Sequence, residues 1–155
     1  PAQKVENLFA SETGYQTPKI DTRAAIFKEN KILLVQEANG TWALPGGWCD
    51  VDQSVKENTI KEVKEEAGLN VVLDKVIAVQ DRDKHNQPPY AYKICKIFSL
   101  CHATGGAFTK NLETIASDYF ERDQLPTLAQ AKTNEDQIQM CFAAYENDDW
   151  KTVID

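Results

Sequence analysis

Residues 44–69, LPGGWCDVDQSVKENTIKEVKEEAGL, constrain this chain more than any other stretch. Pro45, Gly46 and Gly47 predict a tight turn, because glycine takes backbone angles that side chains forbid. Ser54, followed three residues later by Glu57, is a capping box and predicts a helix start; Gly68 predicts its stop. Val55, Thr59, Ile60, Val63 and Ala67 recur at helical spacing and form the expected buried stripe. Glu62 and Glu66 fall one turn apart on one face, with Glu65 beside them. Like charges so placed cost a helix roughly 0.2–0.5 kcal/mol per pair. Two readings of the cluster stand on the helix alone. One is a solvated face neutralised by Lys56, Lys61 and Lys64. The other is a site for a hard cation such as Mg²⁺, which takes carboxylate oxygens and keeps waters for a phosphate substrate. A glycine loop just before the helix offers a backbone carbonyl as a further ligand and lets a substrate approach closely.

The stretch resembles the Nudix hydrolase box, G-x5-E-x7-R-E-U-x-E-E-x-G-U, where U is a bulky aliphatic residue. Gly47, Gln53, Lys61, Glu62, Val63, Glu65, Glu66, Gly68 and Leu69 reproduce its spacing throughout. Gln53 and Lys61 stand where the family has glutamate and arginine, a pair that braces the loop against the helix; amide and amine are expected to keep a weaker brace. The resemblance implies an α/β protein, the Nudix α/β/α sandwich with a mixed β-sheet between helices. It further implies Mg²⁺ or Mn²⁺ held by Glu62, Glu65, Glu66 and the Gly46 carbonyl.

The remaining chain accommodates that fold. At 155 residues, 42% hydrophobic and 26% charged, it has the size and composition of about one globular domain. The expected division is an N-terminal helix and linker over 1–20 and a catalytic domain over 21–155. Val5, Leu8 and Phe9 fall at helical spacing; a start at Pro1 without methionine suggests a processed or engineered chain or a fragment missing its start, in which case this helix is the tail of a longer helical segment. Residues 21–27 and 31–35 predict two strands, residues 71–73 and 76–79 a strand or bent pair, and residues 90–101 a central strand closed by a turn at Thr104-Gly105-Gly106. Residues 81–90, DRDKHNQPPY, are polar and proline-containing and predict an exposed loop. A strand over 113–120 follows, and Thr133 or Asn134 predicts the cap of a final helix over 135–146, with Ile138, Cys141, Phe142 and Tyr145 as its buried stripe.

Several residues outside the box are candidates for the site. Arg23 is either an ordinary strand-face arginine or a phosphate contact, for which its forked geometry is suited. Arg82, Lys84 and His85 concentrate donors in an otherwise acidic chain and are candidate substrate contacts; the alternative is a solvated hairpin tip. Trp42, Trp48 and Tyr90 are candidates to stack on a base. Cys49 lies in the glycine loop with no histidine near it in sequence, which favours a spectator over a nucleophile. The resemblance adds Glu113, with Glu121 behind it, as an extra carboxylate serving as ligand or base, so that Glu65, Glu66 and Glu113 are the candidate catalytic residues.

The net charge of −7 argues against a long nucleic acid as partner. No apolar run approaches the roughly 20 residues that span a bilayer, and no signal peptide is evident. Cys49, Cys95, Cys101 and Cys141 form no CxxC pair, which suits reduced thiols and a cytoplasmic protein. Flanking segments, notably GYQTPKIDTRAAIF and DRDKHNQPPYAYK, resemble the Nudix branch that holds bacterial CDP-choline pyrophosphatase and ADP-ribose pyrophosphatases. The implied reaction is hydrolysis of a nucleoside diphosphate linked to another moiety, such as CDP-choline or ADP-ribose. Nucleoside triphosphates or RNA 5′ ends, and a binding module without turnover, are the alternatives. A homodimer is expected by analogy with the family.

Overall fold

The computed structural model describes residues 14–155. Eight strands form one mixed sheet: β1 Lys19–Lys28, β2 Lys31–Glu37, β3 Trp42–Ala43, β4 Gly46–Trp48, β5 Leu69–Asp81, β6 Ile94–Gly106, β7 Thr114–Phe120 and β8 Val153–Ile154. Two helices accompany it, α1 Val55–Ala67 and α2 Glu135–Glu146. The strand order is β3-β2-β1-β6-β5-β8, with β4 paired to β1 and β7 to β2. The β1–β6 and β5–β8 pairs are parallel and the others antiparallel. The segment around Val5 to Phe9 lies outside the described residues.

Helices cover both sheet faces, so β1 and β2 must be apolar on both sides, as the runs AAIF and ILLV are. Ala24, Ile26, Leu33 and Val35 point one way and pack with Val63 and Ala67 of α1. Ala25, Ile32 and Leu34 point the other way and pack with Ile138, Cys141 and Phe142 of α2. The period-2 pleat thus sorts each strand into two cores and yields the α/β/α sandwich.

α1 begins at Ser54, where its capping box predicts, and α2 at Asn134, one of the two caps expected; α1 ends at Gly68 in the left-handed conformation. Residues 71–79 lie in one long strand, with register shifts at Asn70/Val71, Leu73/Lys75 and Val76/Ala78. Two expectations are corrected. Thr104-Gly105-Gly106 is not a turn; it is the end of β6, paired with Leu69 and Asn70. The glycines permit a close crossing there: a Cβ on Gly106 would sit 2.3 Å from the Gly68 carbonyl oxygen, and one on Gly68 would sit 2.1 Å from that of Ala107. Nor are residues 81–90 uniformly exposed. A 3₁₀ turn over Arg82–Lys84 buries Arg82, and Asn86 is buried beyond it. Asn86 Nδ2 donates to the Gln130 carbonyl at 2.9 Å and to Gln137 Oε1 at 3.0 Å, so this segment closes over the start of α2.

Candidate active site

The glycine loop and α1 are held together by a short polar network. Asn58, fully buried on the inner face of α1, donates to Thr22 Oγ1 on β1 at 3.0 Å and accepts from the Asp50 N–H at 3.3 Å. Thr22 in turn donates to the Gly47 carbonyl at 3.3 Å. Lys61 reaches Asp50 at 2.6 Å, so the lysine of the box braces the loop through Asp50 and not through Gln53. Gly46 is obligatory: a Cβ there would lie 1.8 Å from the Thr22 carbonyl oxygen. At Gly47 a Cβ would sit 2.9 Å from Glu62 Oε1, so the missing side chain lets that carboxylate lie against the loop.

These constraints place Arg23, Gly46, Glu62, Glu65, Glu66 and Glu113 around one open cleft of about 700 Å³. Glu66 is largely buried and accepts from the Gly46 N–H at 2.8 Å. Burial pushes its pKa up to about 7; Arg23 and the Gly46 N–H oppose the rise, and the neighbouring Glu62 and Glu113 carboxylates add to it. Glu62 is also raised, by burial first and then by Glu65. Glu113 is carried to the cleft by the end of α1. Thr114 Oγ1 donates to the Glu66 carbonyl at 2.7 Å and Asn111 Nδ2 to that of Glu65 at 3.2 Å, satisfying carbonyls that a helix terminus leaves free.

Arg23 is buried and already engaged. Its Nε and Nη2 grip Asp21 at 3.0 and 3.1 Å, and Nη1 donates to the Leu44 carbonyl at 2.8 Å. Asp21 also accepts from Lys96 Nζ at 2.6 Å. Burial disfavours the Asp21 charge, yet Arg23 and Lys96 outweigh it and lower its pKa to about 2. Lys96 is driven the other way from a free amine, to about 8, by burial and then by Arg23, because one carboxylate cannot neutralise two cations.

The other donors expected at the site lie elsewhere. Arg82 Nε donates to the Ala131 carbonyl at 3.1 Å and Nη1 to that of Pro88 at 2.7 Å, which ties a loop down; it lines a smaller cavity beside the cleft. Lys84 is exposed beside Asp155, and His85 Nε2 meets the Asp155 carboxylate at 2.8 Å; neither lines the cleft. Trp48 is on the cleft wall and exposed, whereas Trp42 packs edge-on against Phe120 in the core. Cys49 keeps its proton, its pKa raised by burial and by Asp50. Glu37, Asp50 and Lys132 line the cleft without having been expected there; Lys132 pairs with Glu37 at 2.8 Å. Glu37 and Lys132 are 95 residues apart, and no local pattern links them. Lys96 does carry a signal in the sequence: a lysine inside the apolar run of β6 needs a buried partner, and Asp21 is that partner.

Among the described residues, no group of three His, Cys, Asp or Glu side chains is already placed to hold a metal ion. The donor set nonetheless fits a hard divalent ion. Glu62, Glu65, Glu66 and Glu113 face one cleft with mutual repulsion incompletely neutralised, and Mg²⁺ is commonly held by only one or two carboxylates plus water and phosphate.

Comparison with known proteins places the cleft in a class. Residues 17–142 match the model of the NUDIX domain, and the chain belongs to the Nudix family of pyrophosphate-cleaving hydrolases. YjhB of Bacillus subtilis, whose name assigns it provisionally to the ADP-ribose pyrophosphatases, is 40% identical over 152 residues, which cover 97% of this chain and 73% of YjhB. The crystal structure of an ADP-ribose pyrophosphatase from Streptococcus suis is 52% identical, with a TM-score of 0.85 over 90% of this chain and 100% of that one. That of a UDP-X diphosphatase is 29% identical, with the same TM-score of 0.85 over 99% of this chain and 75% of that one. Among the described residues no helix is long and apolar enough to cross a membrane.

Proposed function

We propose that this chain hydrolyses the pyrophosphate bond of a nucleoside diphosphate linked to a second moiety, with Mg²⁺ or Mn²⁺ as cofactor, releasing a nucleoside monophosphate and a phosphorylated moiety. The observation that carries this reading is the convergence of Glu62, Glu65, Glu66 and Glu113 with Gly46 and Arg23 on one cleft. The names of the relatives, ADP-ribose pyrophosphatase and UDP-X diphosphatase, support a linked diphosphate over a triphosphate. CDP-choline belongs to the same chemical class.

Glu62, Glu65, Glu66 and the Gly46 carbonyl are the residues that would hold the ion. When bound there, a divalent ion neutralises diphosphate charge and lowers the pKa of a coordinated water. The protein's own groups do the rest. Glu66 or Glu113 takes a proton from the attacking water; Glu66 Oε2 is held in place by the Gly46 N–H. Arg23, locked by Asp21, keeps a fixed positive charge beside Glu66, and Lys132 adds a second cation at the rim. Trp48 offers a flat exposed face for a base.

The test is product analysis by phosphorus NMR with ADP-ribose, UDP-glucose, CDP-choline, a nucleoside triphosphate and a 5′-triphosphorylated RNA. Each is run with Mg²⁺, with Mn²⁺ and with chelator, beside Glu66→Gln. The expected result is metal-dependent release of a nucleoside monophosphate from a linked diphosphate, lost in the variant. Release of pyrophosphate from the triphosphate alone, or turnover in chelator, would overturn the reading.

A further inference from the structure

Behind Trp48 lies a second, smaller cavity of about 50 Å³, lined by Asp21, Arg23, Arg82, Lys96 and Lys132, with Tyr90 and Trp48 at its aromatic edge. Arg23, Trp48 and Lys132 border both this cavity and the glutamate cleft. A substrate whose diphosphate lies at the glutamates therefore has its nucleoside end within reach of the small cavity.

The lining is dominated by donors. Arg82 and Lys96 are each 2% exposed, and both are among the largest fully buried side chains of the described residues. The sole carboxylate among the lining residues, Asp21, is occupied by Arg23 and Lys96. Arg82 uses Nε and Nη1 on backbone carbonyls, and Nη1 also reaches the Asp83 carboxylate at 3.4 Å, but its Nη2 is buried with no hydrogen-bond partner. The Tyr90 ring, 47% exposed, covers this guanidinium at 4.9 Å. A buried donor left unpaired costs free energy comparable to a lost hydrogen bond, so an acceptor that supplies the missing bond is rewarded. The buried lysine points the same way: Asp21 holds its ammonium at 2.6 Å, but burial disfavours its charge and Arg23 and Arg82 lie close enough to oppose it, so an acceptor oxygen in the cavity would relieve an excess of cations.

We propose that this cavity is a nucleobase-selecting subsite that takes the exocyclic oxygen at pyrimidine C4 or purine C6, so that bases with an oxo group there (uracil, hypoxanthine) are preferred over their amino counterparts (cytosine, adenine). The cavity has room for an exocyclic group and not for a ring. The ring stays at the mouth, against Trp48 and Tyr90, whose centroids are 6.4 Å apart. Tyr90 shifts off the Arg82 guanidinium to expose Nη2 and packs against the ring it admits. An amino group presents hydrogens to Arg82 and Lys96 and is turned away. The proposal rests on the reading of the cleft as a linked-diphosphate site.

The discriminating pairs differ only at one exocyclic group and at the adjacent ring nitrogen, which is a donor in the oxo base and an acceptor in the amino base. UDP-glucose against CDP-glucose, and IDP-ribose against ADP-ribose, are compared by kcat/KM with Mg²⁺. UMP against CMP, and IMP against AMP, are compared by titration calorimetry, which needs no turnover. A hydrogen bond to a charged donor corresponds to about a tenfold to hundredfold preference for the oxo member of each pair. In Arg82→Lys, which loses Nη2, the ratio falls to within about twofold while a thermal melt confirms folding. Tyr90→Ala weakens both members of each pair and leaves a ratio. Equal or reversed preference in the wild-type binding data overturns the subsite, whether or not hydrolysis occurs. Absence of hydrolysis with the oxo preference intact overturns only the catalytic reading.

Discussion

Glu66 concentrates the tension between folding and chemistry in this molecule. Its ordinary carboxyl pKa of 4.5 is raised to about 7 by burial, with Glu62 and Glu113 adding to the rise. Between those values the folded chain holds more protons than the unfolded one, so stability falls as pH rises across that window, and the penalty is complete above it. In chelator, Glu66→Gln is expected to be more stable than wild type by about 1–3 kcal/mol at pH 8, with the difference vanishing near pH 4. Calorimetric melts across pH check this; a variant less stable at pH 8 would remove the argument. Asp21 has the opposite sign. Its pKa of about 2 means that the stability it contributes is present above about 4 and is lost as pH falls through 2. Asp21→Asn leaves Arg23 and Lys96 buried without a counter-charge and is expected to cost about 3–5 kcal/mol at pH 7. Lys96→Met leaves the Asp21–Arg23 pair intact and is expected to change stability by less than about 1 kcal/mol. Denaturant titration of the two variants separates these outcomes, and equal losses would show that the lysine is as necessary as the carboxylate.

At the scale of elements, the two helices were legible because their signals are local. The reciprocal caps at Ser54/Glu57 and Asn134/Gln137 each satisfy backbone groups within four residues. The glutamate face of α1 was legible for the same reason. Glu113 was legible only through family resemblance, since it reaches the cleft by bonds from Asn111 and Thr114 to the last turn of α1. The burial of Arg82 and Asn86 was not legible, because polar composition looks alike in a solvated loop and in one that caps buried carbonyls, as these two residues do here. Gly105-Gly106 looked like a turn because sequence cannot show the other strand of a crossing. That crossing predicts coupling. Gly68→Ala and Gly106→Ala each push the same two segments apart, and each is expected to cost more than about 1 kcal/mol, since both also hold positive φ. Because the first substitution already opens the gap, the double variant is expected to fall short of the sum by about 0.5–3 kcal/mol. Additive losses in a double-mutant cycle would mean that the two glycines act separately.

For the whole molecule, the cleft draws on β1, the end of β2, the glycine loop, α1, the residue before β7 and the loop before α2, so it exists only when the domain is assembled. β1 is hydrogen-bonded to β2, β4 and β6, and it carries Asp21, Thr22 and Arg23. A strand held on this many sides opens only with the entire structure, so the amides of residues 22–26 are expected to exchange with solvent deuterium at the global unfolding rate, slower than those of β8 at the edge. Native-state exchange measured by NMR checks this, and fast exchange in β1 would contradict it. The guanidinium at the centre of the site is thereby bolted to the last part of the protein to come loose. Partial openings that shed the edge strand or fray the outer loops leave the Asp21–Arg23 pair in place. A molecule caught in such a state has only its periphery to rebuild before it works again.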